Sequence, residues 1–284
     1  MRRWFRGLGW RHLVAWLALL FAVFPVVWIL SASFNPLGTL VSQQLIPARL
    51  SLDNYRELLG GTVPYVSWFR NTVVIAGLAS LGNTMLSAFA AYAFSRLRFR
   101  GRRSGLLAVL LVQMFPQTLA FVAIFLIMAN INDVFPAIGL GSQAGLILVY
   151  LGGAMGVNTW LMKGFFDTIP IDLDESARCD GATHAQIFFR IIFPLVAPIL
   201  AVVFLLSFIF LINDFVLASA VLGQGDPENF TLAVGLYRFL SDQFNVRWGP
   251  FAAGAILAGL PVVLLFQFLQ RFIVSGLTQG AVKG

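Results

Sequence analysis

Charge is scarce in this sequence: 11% of its 284 residues are Asp, Glu, Lys or Arg, against roughly 25% in a water-soluble domain. Cysteine occurs once, at Cys179, which excludes an internal disulfide. The two histidines, His12 and His184, lie far apart in the chain and offer no basis for a histidine-rich metal centre. No G-x-x-x-x-G-K-[ST] phosphate loop, H-E-x-x-H or G-x-S-x-G occurs, so the chain carries no recognisable machinery for nucleotide hydrolysis, zinc proteolysis or serine hydrolysis. Acids are few as well, 12 against 19 Lys and Arg. Seventeen of those 19 bases are Arg, grouped in short stretches beside apolar runs. That grouping marks membrane topology rather than a nucleic-acid surface.

Apolar residues are abundant, 59% of the chain, and the mean hydropathy is +0.85. A helix needs about 20 apolar residues to cross a hydrocarbon core. Six runs of that length occur: 13–34, 71–95, 104–128, 142–162, 191–213 and 248–270. A polar, helix-breaking cluster (Asn130, Asn132, Asp133, Pro136, Gly139, Gly141) separates the third from the fourth. The fold class expected is an all-α membrane protein with six transmembrane helices. With the N-terminus cytoplasmic, 14 Lys and Arg fall in inner segments and five in outer ones, so both termini are expected in the cytoplasm. The first apolar run spans 22 residues, too long for the 7–15 of a signal-peptide core, and reads as a span. The expected organisation is residues 1–68 as N-terminal tail, first helix and external loop, 69–271 as the permeation core, and 272–284 as a cytoplasmic tail.

The spans are almost bare of ionisable groups, which disfavours ion-coupled transport. Asp214 is the one candidate and reads as a solvated helix-end residue. Pro116 and Pro261 fall inside the third and sixth runs, where they permit kinks. Small pairs such as Gly152 with Gly156 and Gly254 with Ala258 allow close helix packing.

The informative stretch lies between the fourth and fifth runs. Asp172, with Glu175 three residues on, has the pattern of a capping box. Gly181 is placed to take the left-handed conformation that ends a first short helix. Thr183 and Gln186 repeat the start signal for a second, and Pro194 is expected to begin the next span. Five acids (Asp167, Asp172, Asp174, Glu175, Asp180) surround the small residues Ser176, Ala177, Gly181 and Ala182. Small residues permit close docking, although composition alone leaves open a solvated connecting helix.

Glu175-Ser176-Ala177, Gly181, Ile191 and Pro194 resemble, at matching spacing, the E-A-A, three residues, G, nine residues, I-x-L-P signature of permease subunits from binding-protein-dependent ABC importers. Ser176 stands for the second-position Ala and Phe193 for Leu. The segments Leu45-Ile46-Pro47, Asp53-Asn54-Tyr55, Tyr92-Ala93-Phe94-Ser95-Arg96 and Gln113-Met114-Phe115-Pro116 look like carbohydrate-type importers. Residues 230–236, Trp248-Gly249 and the tail 276–284 are similar to the second, MalG-type permease of maltose/maltodextrin importers.

The resemblance implies the type I ABC importer permease fold, and a coupling helix that docks on an ATPase through Glu175, Ser176, Ala177, Asp180, Gly181 and Ala182. It implies an ATPase-tail contact at Gln279, Gly280 and Lys283, and an external loop within 222–247 that reaches toward a binding protein. The implied partners are a second, different permease of the MalF type, a homodimeric ABC ATPase of the MalK type, an extracytoplasmic sugar-binding protein and the lipid bilayer of the inner membrane; nucleic acid is not among them. No cofactor is expected on this chain, ATP and Mg being held by the partner ATPase, and no catalytic residue or metal is expected. The cargo could be maltose, maltodextrin, trehalose or another oligosaccharide, and no substrate-binding residue carries over. The alternative is a six-span secondary carrier or channel acting without an ATPase.

Overall fold

The computed structural model describes residues 9–36, 49–114, 117–153, 156–241 and 246–281. Every regular element among them is helical. The chain divides into two units, Met1–Val66 with Gly235–Leu260, and Ser67–Val234 with Pro261–Gly284.

In the first unit, α1 (Gly9–Ser33) is apolar along its whole length, and none of its most hydrophobic window is buried, as lipid contact requires. Its last carbonyls have no intrahelical partner. Asn54, on α2 (Asp53–Leu59), supplies one: its amide donates to Ser33 O at 2.9 Å and to Asn35 O at 3.0 Å. Tyr55 adds a hydroxyl bond to Ser33 Oγ at 2.8 Å. Arg247 pairs with Glu57, and Tyr65 donates to Gly254 O at 2.9 Å.

The second unit carries the longest packed elements. α3 (Tyr65–Arg96) fills the second expected span. The third run is not one helix: α4 (Arg102–Gln113) is followed by a 3₁₀ turn, Gln117–Ala120, and by α5 (Phe121–Val134). Pro116, the expected kink residue, lies outside the described residues. The fourth run is also two helices, α6 (Gln143–Gly152) and α7 (Val157–Phe166), bent against each other at a glycine-rich break. Ser142 caps α6 by accepting from Gly145 N at 3.0 Å. The loop follows as α8 (Asp172–Cys179), α9 (His184–Ile187), a π turn at Phe188–Ile192 and a further turn at Phe193–Leu195. α10 (Ala197–Ile212) then turns away by 78°, so Pro194 precedes the bend instead of opening the span. Pro198 takes the start of α10 instead, where its missing N–H costs nothing.

α11 (Val216–Leu222) is opened by Asp214, whose Oδ2 accepts from Ala218 N at 3.0 Å and from Tyr150 hydroxyl at 2.8 Å. Asp214 is therefore a half-buried, bonded residue and not a freely solvated one. The stretch expected to probe outward is largely tied down. Trp68 Nε1 donates to Pro227 O at 2.7 Å, Asn71 to Glu228 O at 2.7 Å, and Thr72 Oγ1 accepts from Leu232 N at 2.6 Å. Residues 232–241 form α12, and residues 242–245 lie outside the described residues. α13 (Trp248–Ala281) contains Pro261 and runs on through the segment expected as a separate tail from 272. Among the described residues, α1, α3 and the 248–272 part of α13 are long and apolar enough to span a membrane, and counting each bent pair as one span brings the number up to five.

Candidate functional site

The loop between α7 and α10 is held on a buried apolar cluster. Met162 and Phe166 come from α7, Ala177 from α8, Ile187 from α9, and Phe188, Ile192 and Val196 from the turns before α10; Ala88, Ala91 and Tyr92 of α3 close it. Phe188 sits at the centre, with ring centroids 5.1 Å from Tyr92, 5.3 Å from Phe89 and 4.9 Å from Phe189. Such tilted and edge-on pairs add about 0.5–1.5 kcal/mol each beyond the area they bury.

Charge fastens the same loop to the end of α3. Arg96 Nε lies 2.6 Å from Asp174 Oδ2, with side chains only 3% and 4% exposed. The pair is at contact distance without the alignment of a hydrogen bond, so its attraction is mainly between charges. Arg96 Nη2 also donates to Ile169 O at 2.8 Å. A buried ion is costly unless paired, and losing one partner of such a pair costs about 3–5 kcal/mol. Arg102 ties back to α3 by donating to Phe94 O at 2.6 Å and Ser95 O at 3.0 Å. Ser95 Oγ in turn donates to Asp167 Oδ1 at 2.6 Å, and Lys163 pairs with the other carboxylate oxygen. Partial burial alone would raise the Asp167 pKa, but the bonds from Lys163 and Ser95 prevail and hold it below the ordinary carboxylate value.

α8 is eight residues long, too short to persist alone in water. Its first turn carries Asp172, Asp174 and Glu175, which suits the positive end of the helix dipole. The expected Asp172–Glu175 capping box does not form: Asp172 is already helical, Ile171 precedes it, and no side chain caps that end. The C-terminal end follows the sequence closely. Gly181 sits at φ +80°, its N–H donates to Arg178 O at 2.9 Å, and Ala182 N donates to Ala177 O at 2.9 Å, the paired bonds of a Schellman motif. Thr183 and Gln186 form the reciprocal capping box that starts α9.

These bonds divide the predicted coupling residues into two sets. Glu175, Ser176, Asp180 and Gly181 are exposed and Ala182 is half-buried. Ala177 is 8% exposed and packs inward, so it seats the helix and does not present itself to another chain. Asp174 joins it on the inner face three residues earlier, which is the helical spacing of one face. Among the tail residues, Gln279 and Gly280 belong to α13, and Lys283 lies outside the described residues.

Sequence reasoning missed the Arg96–Asp174 pair, reading the first as a topology marker and the second as one acid among five. The available signal was spacing. Arg96 falls four residues after Tyr92, on the face of α3 that carries Ala88, and Asp174 falls three before Ala177.

Residues 83–279 match the family described as "Binding-protein-dependent transport system inner membrane component". Over 286 residues the chain is 43% identical to the galactooligosaccharides transport system permease protein GanQ of Bacillus subtilis (strain 168), covering 100% of this chain and 98% of that protein. It is 40% identical over 285 residues to the maltose/maltodextrin transport system permease protein MalG of Vibrio vulnificus (strain YJ016), covering 96% and 95%. Among solved structures, a chain of a bacterial ABC transporter that imports the acidic polysaccharide alginate superposes with a TM-score of 0.76 over 94% of this chain and 96% of that one, at 24% identity. The fold is thus that of a type I ABC importer permease, and the chain belongs to the family of inner membrane components of binding-protein-dependent transport systems.

Proposed function

We propose that this chain is one of two permease subunits in an ATP-driven importer of a neutral oligosaccharide of the maltodextrin or galactooligosaccharide class. The observation that carries this reading is similarity along the whole chain, at 43% and 40% identity, to permeases of galactooligosaccharide and maltose/maltodextrin transport systems. Identities so close to each other do not separate the two cargo classes. Both termini face the cytoplasm in this reading, supported by 14 Lys and Arg on that side against five on the other. A second permease completes the path, an extracytoplasmic binding protein delivers sugar, and a dimeric ATPase holds ATP and Mg. This chain contributes motion and a passage, not catalysis.

α8 is the coupling helix of this reading. Glu175, Ser176, Asp180 and Gly181 face the ATPase, while Asp174 and Ala177 face the chain's own core. A displacement of α8 then reaches α3 through the Arg96 contact and reaches α7 and α10 through the apolar cluster. Packed interfaces switch between discrete arrangements and do not deform continuously, so a short helix fixed on three others can move them as a body. Gln279, Gly280 and Lys283 provide a second contact with the ATPase in the same reading.

A mild-detergent pull-down of the tagged chain from its native membrane, with mass spectrometry, tests the assembly. Recovery of an ATPase and a different permease is expected, followed by ATP-dependent uptake of maltotriose or galactotriose by the purified complex in vesicles carrying the binding protein. Recovery of the chain alone, with uptake that needs no ATP, would instead mean a stand-alone carrier.

A further inference from the structure

Five arginines crowd the turn where α3 ends and α4 begins: Arg96, Arg98, Arg100, Arg102 and Arg103. No Asp or Glu occurs between residues 58 and 132, so the stretch has no acid of its own. The structure divides the five by task. Arg96 and Arg102 are spent on the fold, the first on Asp174 and Ile169 O, the second on the carbonyls of Phe94 and Ser95. Arg98, Arg100 and Arg103 are exposed, and among the described residues they make no hydrogen bond or ion pair. Asp167 and Asp174, which the fold brings to this helix end, are already held by Lys163 with Ser95 and by Arg96. Three like charges are left side by side without a counter-charge.

The turn that carries them is braced. Gly101 takes φ +85°, a conformation open to glycine, and Gly105 N donates to Gly101 O at 2.7 Å. Phe99, between Arg98 and Arg100, is 45% exposed, and its ring lies 5.7 Å from that of Phe94. α4 then has no buried residue. Arg103, Leu107 and Leu111 recur every four residues along one side of it, with Leu107 and Leu111 50% and 66% exposed. From Arg103 to Leu111 the helix rises about 12 Å, close to the roughly 15 Å that one leaflet contributes to a hydrocarbon core. A track with cations at its mouth and apolar side chains over one leaflet's depth matches the shape of an anionic phospholipid, phosphate at the arginines and acyl chain along the leucines. Membrane topology asks only for a count of positive charge; it does not require two arginines to brace a turn that leaves three others uncovered.

We propose that Arg98, Arg100 and Arg103, with Phe99 and the Leu107–Leu111 side of α4, form a docking site for an anionic phospholipid in the leaflet on the α8 side. The site belongs to this chain, and the importer reading adds only that this leaflet is the cytoplasmic one, where basic clusters beside a span attract anionic lipid. A lipid held there anchors in the bilayer the end of α3 that carries Arg96, and with it the ground against which α8 moves.

The test uses the complex recovered from its native membrane and placed in nanodiscs of phosphatidylglycerol and phosphatidylcholine in equal parts. Phospholipid retained through mild detergent extraction is counted by mass spectrometry. Phosphatidylglycerol is expected to be enriched roughly tenfold, and Arg98→Gln/Arg100→Gln/Arg103→Gln to lose most of that enrichment. The Lys versions at the same three positions are expected to keep it, because the site reads charge. Millimolar inorganic phosphate is expected to leave the lipid in place; displacement by it would mean a free-anion site and would overturn lipid docking. Equal retention of the two lipids by the unaltered complex, or enrichment unchanged in the Gln variant, would also overturn the proposal. Because that variant removes three topology charges and could fail to insert, the unaltered complex is also cross-linked with phosphatidylglycerol bearing a diazirine on its acyl chain. Attachment to this chain within residues 99–112 is the expected result. Attachment elsewhere only, or chemical cross-links from the turn to the ATPase, would overturn the site. If no ATPase accompanies the chain, the importer reading falls while the lipid count still reports on this chain; if the ATPase is present and phosphatidylglycerol is not enriched, the lipid site alone falls.

Discussion

One helix, α3, carries two buried polar side chains, and they differ in charge and in what holds them. At its end Arg96 is charged, buried, paired with Asp174 and bonded to Ile169 O. Thirteen residues earlier Asn83 is neutral, buried and left with a free acceptor. Charge is retained where geometry has to stay fixed, because a buried ion penalises any state in which its partner moves away. A neutral amide with an unmet acceptor carries a smaller penalty, about 1–3 kcal/mol, and fastens no partner. The end of α3 that fastens the loop carries the first kind, and its middle carries the second.

Breaking the engaged site is expected to give the largest effect. Asp174→Ala or Arg96→Ala leaves a buried unpaired charge and should cost about 3–5 kcal/mol, read as loss of the assembled complex on gel filtration. Replacing both partners together, Arg96→Met with Asp174→Leu, should restore assembly, since apolar pairs of similar volume are often no less stable. Sugar uptake per ATP hydrolysed by that double variant then reports whether the charges serve transmission as well as stability; a ratio below that of the unaltered complex is expected.

The end of α8 should respond next. Gly181 has open space around a would-be Cβ but a φ of +80°, so Gly181→Val is expected to cost about 1–2 kcal/mol through backbone strain alone, and Gly181→Asn much less. Thr183→Ala removes the cap of α9 and is expected to cost about 1 kcal/mol, seen as faster hydrogen exchange through 183–187. Glu175→Ala on the outward face should leave folding within about 0.5 kcal/mol while reducing uptake, which separates the two faces of α8 functionally.

The smallest effect concerns pH. Asp167 has a depressed pKa, so its tie to Ser95 and Lys163 is present above the ordinary carboxylate pKa and lost only as pH falls below about 4. ATPase coupling is therefore expected to show no step from this residue between pH 5 and pH 8.

Much of this architecture was legible in the sequence, for identifiable physical reasons. Spans announce themselves by uninterrupted apolar length, so α1, α3 and the apolar part of α13 fall within a few residues of expectation. Gly181 and the Thr183–Gln186 box were readable because each depends on local chemistry within four residues. What was not readable depends on the rest of the fold. The third and fourth runs each hold two helices, and hydropathy is blind to a change of helix direction within a run. The inward face of Ala177, the Asp172 end without its cap, and the Arg96–Asp174 pair all follow from where α8 settles against α3. The chain's own packing, not local propensity, decides which of the small residues in the loop remain available to a partner.

The central claim is that the outward face of α8 meets an ATPase while its inward face stays on the permease core. Cys179 is the only cysteine in the chain and is exposed on α8, which makes it a reporter that needs no substitution. The measurement is the rate at which a water-soluble maleimide labels Cys179 in the complete complex and again after the ATPase has been stripped away. Slow labelling in the complex and fast labelling once the ATPase is gone are expected. Equal rates in the two states would contradict it.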